Sequence, residues 1–338
     1  MESDKLEVLR RITYCDNDTL SFVNEWFNSS PVVTAHTSGS TGKPKNIELL
    51  KSDMLKSAMA TNRFFGINSD SVLACPLSSG YIAGKMMIVR AIAAGCRMIA
   101  ATPSNRFVLP VSSRISLIAI VPSQLEHTLN RYGDRTDNIL VGGAPLSVEQ
   151  QNLVSQYSGN VYLSYGMTET CSHVALKQVG TNGAFRALPG ISFGIDTRGC
   201  LIINAPGFSF SGTVTNDIVE LRDKCSFVWR GRYDNVINSG GIKVYPEEIE
   251  QKIAYLCNIG SQFYITKRAH AKWGEIPVLV IKTTDELDIR DIATEIRNVL
   301  SKAERPKEIL VTDKIESTGN GKIRRILPPE VLACYSNL

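Results

Sequence analysis

The chain of 338 residues lacks the features that mark several large classes of protein. Its eight cysteines form no CxxC pair, and a chain of this length does not need disulfides, so we expect free thiols in the cytoplasm. It has no apolar run of signal-peptide or membrane-span length, because Arg90 and Arg97 interrupt the most apolar stretch, 86–101. Repeats and low-complexity tracts are also missing, which leaves a globular cytoplasmic protein.

An excess of charge of one sign is missing as well. Lys and Arg total 37 against 33 Asp and Glu, and this net charge of +4 is too small to predict binding to nucleic acid or to an anionic membrane. The four histidines fit no metal-ligand spacing; they are His36, His127, His173 and His270. These absences leave an enzyme or a binding protein, whose partner has to be inferred from local motifs.

From about residue 70 the chain alternates between short β-rich runs and longer helical patterns. The β-rich runs at 72–76, 97–101, 115–121, 138–141 and 161–164 are separated by helical segments. This alternation predicts βαβ units and a mostly parallel sheet.

Two consecutive strands of that sheet are followed by unusual loops. One is Gly142-Gly143-Ala144-Pro145, and the other is Tyr165-Gly166-Met167-Thr168-Glu169-Thr170. In open parallel sheets ligands bind beyond the carboxyl ends of the strands, so we expect a binding site at these loops.

A small α+β pattern follows the short strands that extend from residue 180 to about Arg232. Its two helices are predicted at 246–256 and 288–303, and its three strands at 261–266, 277–283 and 308–312. We therefore predict an α/β chain with two domains, a larger one of residues 1–233 and a smaller one of residues 234–338.

The sharpest local signal is the segment 37–45, TSGSTGKPK. It consists of Thr37, Ser38, Gly39, Ser40, Thr41, Gly42, Lys43, Pro44 and Lys45. Hydroxyls, glycine backbone and lysine charge suit a polyphosphate. A Walker A loop would need Gly at 37 and Ser or Thr at 44, so this is a different phosphate loop; the alternative is a flexible polar loop.

This segment resembles the phosphate loop of the acyl-adenylate-forming enzymes, the superfamily of acyl-CoA synthetases, luciferases and adenylation domains. Further elements follow in the family's order, namely GGAP at 142–145, YGMTE at 165–169, Asp217, GRYD at 231–234, SGG at 239–241 and GK at 321–322. The resemblance implies that a carboxylate attacks the α-phosphate of ATP to give an acyl-adenylate, and that the thiol of CoA then takes the acyl group. It also implies an adenylating domain followed by a mobile lid domain.

The resemblance implies individual roles in binding the nucleotide. The 37–45 loop would hold the β- and γ-phosphates, and the Tyr165 ring would lie against adenine. Thr168 would contact the α-phosphate, and Glu169 would be a ligand of Mg²⁺, a hard cation that prefers oxygen. The predicted nucleotide-binding set also includes Gly142, Gly143, Ala144, Pro145, Gly166 and Met167.

The later motifs supply the ribose contacts and the moving parts. Asp217 and Arg232 resemble the residues that bind ribose, and Lys322 resembles the catalytic lysine, which bridges the attacking carboxylate and the α-phosphate. Asp234 matches the hinge about which the lid rotates between the half-reactions. That rotation would exchange Lys322 for the segment Ser239-Gly240-Gly241, beside which CoA would enter.

Each of these polar residues alone would be weak support. A lone Glu169, Asp217 or Arg232 is more often a surface ion or a helix cap, and Lys322 has the alternative of belonging to a solvated basic tail with Arg324 and Arg325. Only the surrounding motifs favour the roles in a site.

The chain departs from the family's pattern in several places. Only 36 residues precede the phosphate loop, where typical members carry a much longer subdomain, so we expect much of that subdomain to be absent. Tyr81 takes the place of a histidine, and we predict that it contacts the acyl substrate. The usual Thr-Gly-Asp is Thr215-Asn216-Asp217, and Ile242-Lys243 follows the glycine pair where Glu-Asn is common.

Among the subfamilies, the chain resembles a compact o-succinylbenzoate-CoA ligase of menaquinone biosynthesis through the segment 84–91, GKMMIVRA. The second carboxylate of that acid needs a cation or donors if it is buried. Lys85 and Arg90 are five residues apart and do not share a helix face, so we expect at most one to point inward. We favour Lys85, whose alternative is a surface lysine, and we add Gly142 and Gly143 to the predicted substrate contacts.

We therefore predict an ATP- and Mg²⁺-dependent ligase that joins o-succinylbenzoate to CoA. One alternative is an acyl- or aryl-CoA ligase of other specificity. Another is a non-catalytic nucleotide- or acyl-binding protein, against which the retained Lys322 argues. The predicted partners are small molecules, with no nucleic acid and no membrane, and the oligomeric state, a homodimer included, is left open.

Overall fold

The computed structural model describes the chain in eight segments, 2–13, 16–36, 46–110, 113–181, 183–256, 262–283, 288–316 and 323–336. These segments divide into two compact units. The first unit is made of Met1–Phe193, Ile203–Thr213 and Arg222–Phe227, and the second of Gly194–Ile202, Val214–Leu221 and Val228–Leu338.

The first unit contains most of the helices. They are α1 (Glu2–Arg11), α2 (Asn17–Trp26), α3 (Lys51–Phe65), α4 (Ile82–Ala94), α5 (Leu125–Tyr132) and α6 (Val148–Ser155). Its strands are β1 (Val32–His36), β2 (Asn46–Leu50), β3 (Val72–Cys75), β4 (Arg97–Ala100), β5 (Leu117–Ile120), β6 (Asn138–Val141), β7 (Asn160–Gly166), β8 (His173–Gln178) and β9 (Phe185–Ala187).

Four strands are divided between the two units, namely β10 (Ser192–Ile195), β11 (Cys200–Asn204), β12 (Thr213–Asp223) and β13 (Ser226–Arg232). The remaining elements belong to the second unit. They are β14 (Ile237–Ser239), β15 (Ile242–Val244), α7 (Pro246–Ile253), β16 (Phe263–His270), β17 (Gly274–Lys282), α8 (Ile289–Val299), β18 (Glu308–Thr312) and β19 (Ala333–Ser336).

Parallel pairing dominates the centre of the first unit's sheet. Strands β4, β3, β5, β6 and β7 are parallel neighbours in that order, and β8 and β9 continue the sheet antiparallel. Every residue of β3 and β5 is buried, as expected for strands covered on both faces. The prediction of an α/β fold is confirmed, and the sheet is mixed: β4, β3, β5, β6 and β7 are parallel, whereas β8 and β9 are antiparallel.

The second unit contains its own sheet, with β15, β14, β17, β18 and β19 in that order and β16 paired to β17. Helix α8 buries Ile289, Ile292, Ala293 and Ile296, a spacing that places one apolar face on the sheet. The Asp288 carboxylate caps its first turn. The helix predicted over 288–303 ends at Val299, because Leu300 is extended.

The cysteines that the structure describes are free thiols. Burial raises the pKa of Cys75 and of Cys96 to about 11 and that of Cys171 to about 12. Within the described segments, no helix combines the length and the apolar character that crossing a membrane requires.

Candidate functional site

Loops from neighbouring strands leave one edge of the first unit's sheet. Strands β3, β5, β6 and β7 are adjacent and parallel, so their carboxyl ends lie at the same edge. The segment 76–81 follows β3, residues 142–145 follow β6, and residues 167–170 follow β7. The structure therefore places the two loops singled out by the sequence next to each other.

The loop after β6 has little room for side chains at its glycines. A Cβ atom on Gly142 would lie 2.9 Å from the Ser164 hydroxyl oxygen, which donates a hydrogen bond to the carbonyl of Val141. Gly143 has a φ of +90°, which L-residues rarely adopt. Residues 143 to 145 of this loop are exposed, so a ligand can approach them closely.

A short 3₁₀ turn, Thr168–Thr170, shapes the loop after β7. The buried Thr170 hydroxyl bonds to the carbonyl of Ser172 at 2.7 Å, which directs that side chain into the protein. A Cβ atom on Gly166 would lie 2.2 Å from the same carbonyl oxygen, so only glycine fits there. Glu169 is left on the exposed side of the turn.

The Tyr165 ring is held by other aromatic rings of the first unit. Its centroid lies 5.0 Å from that of Phe227 in an edge-to-face contact and 5.7 Å from that of Phe185. Tyr165 is half-buried. An immobilised, partly accessible ring suits stacking against a planar base.

Helix α4 carries the residues predicted to contact the acyl group. Tyr81 precedes its first turn and is 56% exposed. Lys85 is buried, with its Nζ 3.4 Å from Glu25 Oε2 and 4.5 Å from the centre of the Phe22 ring on α2. Glu25 also accepts a hydrogen bond from the backbone of Thr34 at 2.7 Å. The charge of Lys85 is thus matched by a carboxylate of the protein.

Arg90 is buried more deeply in the same helix, at 1% exposure. It donates to the Ser172 hydroxyl at 2.7 Å, while its Nε has no hydrogen-bond partner and its guanidinium has no carboxylate partner among the described residues. Burial lowers the pKa of Arg90 to about 10. Burial, and secondarily the charge of Arg90, lowers the pKa of neighbouring His173 well below its ordinary value. Both Lys85 and Arg90 are therefore buried, although we expected at most one to point inward.

In the second unit, adjacent strands β12 and β13 carry the predicted ribose residues. Asp217 is 7% exposed, and its Oδ1 lies 3.5 Å from a guanidinium nitrogen of Arg232. The same oxygen accepts a hydrogen bond from the indole Nε1–H of Trp229 at 3.2 Å. The motifs therefore predicted two residues that lie together, and the structure adds Trp229 to them.

Asp234, the predicted hinge residue, is exposed and belongs to a polar network of the second unit. Its carboxylate accepts a hydrogen bond from the Asn216 amide at 3.2 Å and lies 3.9 Å from Arg232. The side-chain oxygen of Asn216 accepts from Arg198 at 3.1 Å. The asparagine that replaces the family's usual glycine is thus bonded to the predicted hinge.

The Ser239-Gly240-Gly241 segment forms the turn of the β14–β15 hairpin. Ser239 pairs with Ile242, so the two glycines are the turn residues, and their φ angles are +59° and +83°. Positive φ at both positions is typical of a type I′ turn. A Cβ atom on Gly240 would lie 2.7 Å from the Trp273 ring, so the turn has no space for a side chain there.

Some predicted residues lie outside the described part of the chain. They are the phosphate-loop residues Thr37, Ser38, Gly39, Ser40, Thr41, Gly42, Lys43, Pro44 and Lys45, together with Gly321 and Lys322. Their roles stay predictions.

The family follows from comparison with known proteins. A family model described as AMP-binding enzyme matches residues 14–196, more than half of the chain. The chain belongs to this family. The predicted membership in the acyl-adenylate-forming superfamily is confirmed, and the protein is an ATP-using adenylating enzyme.

Similar AMP-binding enzymes include curated proteins named 2-succinylbenzoate–CoA ligase. The one from Listeria monocytogenes is 25% identical over 92% of this chain and 72% of its own length. The one from Enterococcus faecalis is 25% identical over 86% of this chain and 67% of its own length.

Solved structures are similar as well. An acyl-CoA synthetase (AMP-forming)/AMP-acid ligase II-like protein from Dyadobacter fermentans is 34% identical, covers 90% of this chain and 91% of its own, and has a TM-score of 0.61. The o-succinylbenzoate CoA synthetase from Bacillus subtilis, in complex with an acyl-adenylate intermediate, has a TM-score of 0.75 at 20% identity. The match covers 86% of this chain and 67% of the synthetase. At that identity the second likeness shows the fold alone.

Proposed function

We propose that this AMP-binding enzyme is an AMP-forming acid–CoA ligase that acts on 2-succinylbenzoate. The observation that carries the proposal is the shared name of relatives that align with most of the chain, from Listeria monocytogenes and Enterococcus faecalis. The loops after β6 and β7, which lie next to each other at one edge of the first unit's sheet, support adenylation chemistry.

In the proposed first step a carboxylate oxygen of the acid attacks the α-phosphorus of ATP, and the bond to pyrophosphate breaks. The 37–45 loop binds the phosphates that leave, and Thr168 contacts the α-phosphate. Lys322 places positive charge where negative charge builds in the transition state. The family resemblance assigns the adenine to Tyr165 and the ribose to Asp217 and Arg232.

Magnesium belongs to this step as part of the MgATP substrate. The described residues contain no group of three or more His, Cys, Asp or Glu side chains that could hold a metal. Glu169, exposed beside the predicted phosphate position, offers one carboxylate, and Mg²⁺ commonly combines one or two carboxylates with substrate phosphates. Glu169 therefore fits the predicted role of a Mg²⁺ ligand.

In the proposed second step the CoA thiol attacks the acyl carbonyl, and AMP leaves with the pair of electrons of the broken C–O bond. We assign residues 1–233 to the adenylating domain and residues 234–338 to a lid that rotates about Asp234. The side-chain-free turn at Gly240-Gly241 suits passage of the narrow pantetheine arm.

A pyrophosphate-release screen tests the function. With MgATP and 2-succinylbenzoate we expect pyrophosphate without CoA in about one turnover, and continuous release with CoA, because only CoA clears the adenylate. Benzoate, a fatty acid and other aromatic diacids are the comparison substrates. No release with 2-succinylbenzoate while another acid works would contradict the substrate, and no release with any acid would favour a non-catalytic binding protein.

An acid–CoA ligase of another specificity is the second candidate. The neutralisation of Lys85 by Glu25 favours it, since a paired lysine is a weak recognition element for a second carboxylate. Against it stands Arg90, which has no carboxylate partner among the described residues and donates to Ser172, close in sequence to the loop after β7.

Two variants of α4 separate these possibilities. Lys85→Met and Arg90→Met both remove a buried cation while keeping a long side chain. Lys85 is the sequence's candidate, but the contacts favour Arg90, so we expect Arg90→Met to lower kcat/KM for a dicarboxylic acid by about 10–100-fold relative to a monocarboxylic acid. Lys85→Met should change that ratio less. Equal losses for mono- and dicarboxylic acids in both variants would contradict recognition by either residue.

A further inference from the structure

Trp229 contacts the carboxylate that the family resemblance assigns to ribose. It lies on β13, next to β12, and donates its indole N–H to Oδ1 of Asp217 at 3.2 Å. Arg232, also on β13, lies 3.5 Å from that same oxygen. Two donors from one strand therefore converge on one oxygen of a buried side chain.

We propose that Trp229 is a positioning residue, whose indole N–H fixes the rotation of the Asp217 carboxylate so that it can accept hydrogen bonds from the ribose hydroxyls of ATP. This rests on the proposed function, because the ribose role of Asp217 comes from it. The terminal torsion of an aspartate is broad, so a fixed donor is needed to select one orientation. A carboxylate has about four lone-pair sites and can accept several hydrogen bonds at once.

The indole combines a large apolar ring with an N–H donor, which a phenylalanine ring lacks. Trp229 is half-buried, and a phenylalanine would fill much of the same volume but has no N–H. Arg232 is no substitute, since its side chain is 40% exposed and lies 3.9 Å from Asp234 through its other nitrogen. The tryptophan is therefore the better fixed of the two donors.

Trp229→Phe is the decisive variant, with nucleotide affinity measured by calorimetry in the absence of any acid. We expect the Kd for ATP to rise about tenfold, since the lost bond has a charged acceptor. The preference for ATP over 3′-deoxy-ATP should fall by a similar factor. Trp26→Phe makes the same chemical change on α2 of the first unit and should leave both quantities within about twofold.

An unchanged preference for ATP over 3′-deoxy-ATP in Trp229→Phe would overturn the proposal, because lost packing weakens both nucleotides alike. If Trp229→Phe does not fold, NMR of the indole N–H groups in ¹⁵N-labelled protein that keeps Trp229 tests the contact instead. The chain has three tryptophans, so Trp26→Phe and Trp273→Phe assign the Trp229 signal by elimination. That signal should move upfield in Asp217→Ala; a signal that stays in place refutes the contact.

These measurements separate the inference from the proposed function. If the protein binds ATP but releases no pyrophosphate with any acid, the ligase proposal fails. The ratio of ATP to 3′-deoxy-ATP affinity would still decide whether Trp229 positions Asp217, because it needs no turnover.

Discussion

Replacing Lys322 by alanine should lower the rate of acyl-adenylate formation by about 10²–10³-fold, the usual loss when one preorganised transition-state contact is removed. The family resemblance places this ammonium between the attacking carboxylate and the α-phosphate, where charge develops. Single-turnover pyrophosphate release measures the step directly. The second half-reaction, started from preformed acyl-adenylate and CoA, should continue at nearly the wild-type rate, because the proposed rotation of the lid withdraws Lys322 before that step.

Arg324→Ala is the matched control for this variant. Arg324 lies two residues away in the same basic segment, is 51% exposed at its side chain and pairs only loosely with Glu316, at 3.8 Å. Its removal should change adenylation less than about threefold, as for an exposed ion pair. Equal losses in the two variants would support a general effect of a basic tail and refute a specific role for Lys322.

The strands that the sequence predicted correctly are those whose sequence pattern lies within the strand itself. β3 and β5 were predicted because each is a continuous apolar run, as expected for strands buried on both faces. β19 was missed, since four residues with no alternation form a strand only through pairing with β18.

The candidate site likewise combines features that local motifs predict with contacts that depend on the tertiary fold. Motif order predicted that Asp217 and Arg232 belong together, but the Trp229 contact depends on the pairing of β12 with β13, which no local pattern reports. Helical spacing led us to expect that at most one of Lys85 and Arg90 points inward, but both are buried. It could not reveal that Glu25, 60 residues earlier in the chain, pairs with Lys85.

Arg325→Met should lower the free energy of unfolding by about 3–5 kcal/mol, because it leaves carboxylates buried without their cation. The Arg325 guanidinium forms two hydrogen bonds with the carboxylate of Glu250 and lies 3.6 Å from Glu247. Glu250 also accepts from the backbone of Ile265 at 2.6 Å, so its charge is fixed inside the second unit. Arg324→Met, which removes an exposed cation, should cost about 0–1 kcal/mol.

The loss in Arg325→Met should depend on pH in a defined direction. Burial already raises the pKa of Glu250, and Arg325 is the first of the groups that oppose this rise. Without Arg325 the folded-state pKa rises further above the unfolded value, so protonation favours the folded state. The defect relative to wild type should then be smaller at about pH 5.5 than at about pH 8, as urea unfolding at the two values would measure.

A second substitution links this ion pair to catalysis. Glu250→Gln in the Arg325→Met background removes one of the two unmatched charges and leaves that of Glu247, so the double variant should recover part of the lost stability, as coupled neighbours do. The backbone carbonyl of Arg325 would still accept from the Thr266 hydroxyl, a 2.8 Å contact that attaches the chain three residues after Lys322 to β16. Recovery of stability together with adenylation would show that the ion pair acts through folding alone. Recovery of stability without adenylation would show that the guanidinium itself fixes the segment that presents Lys322.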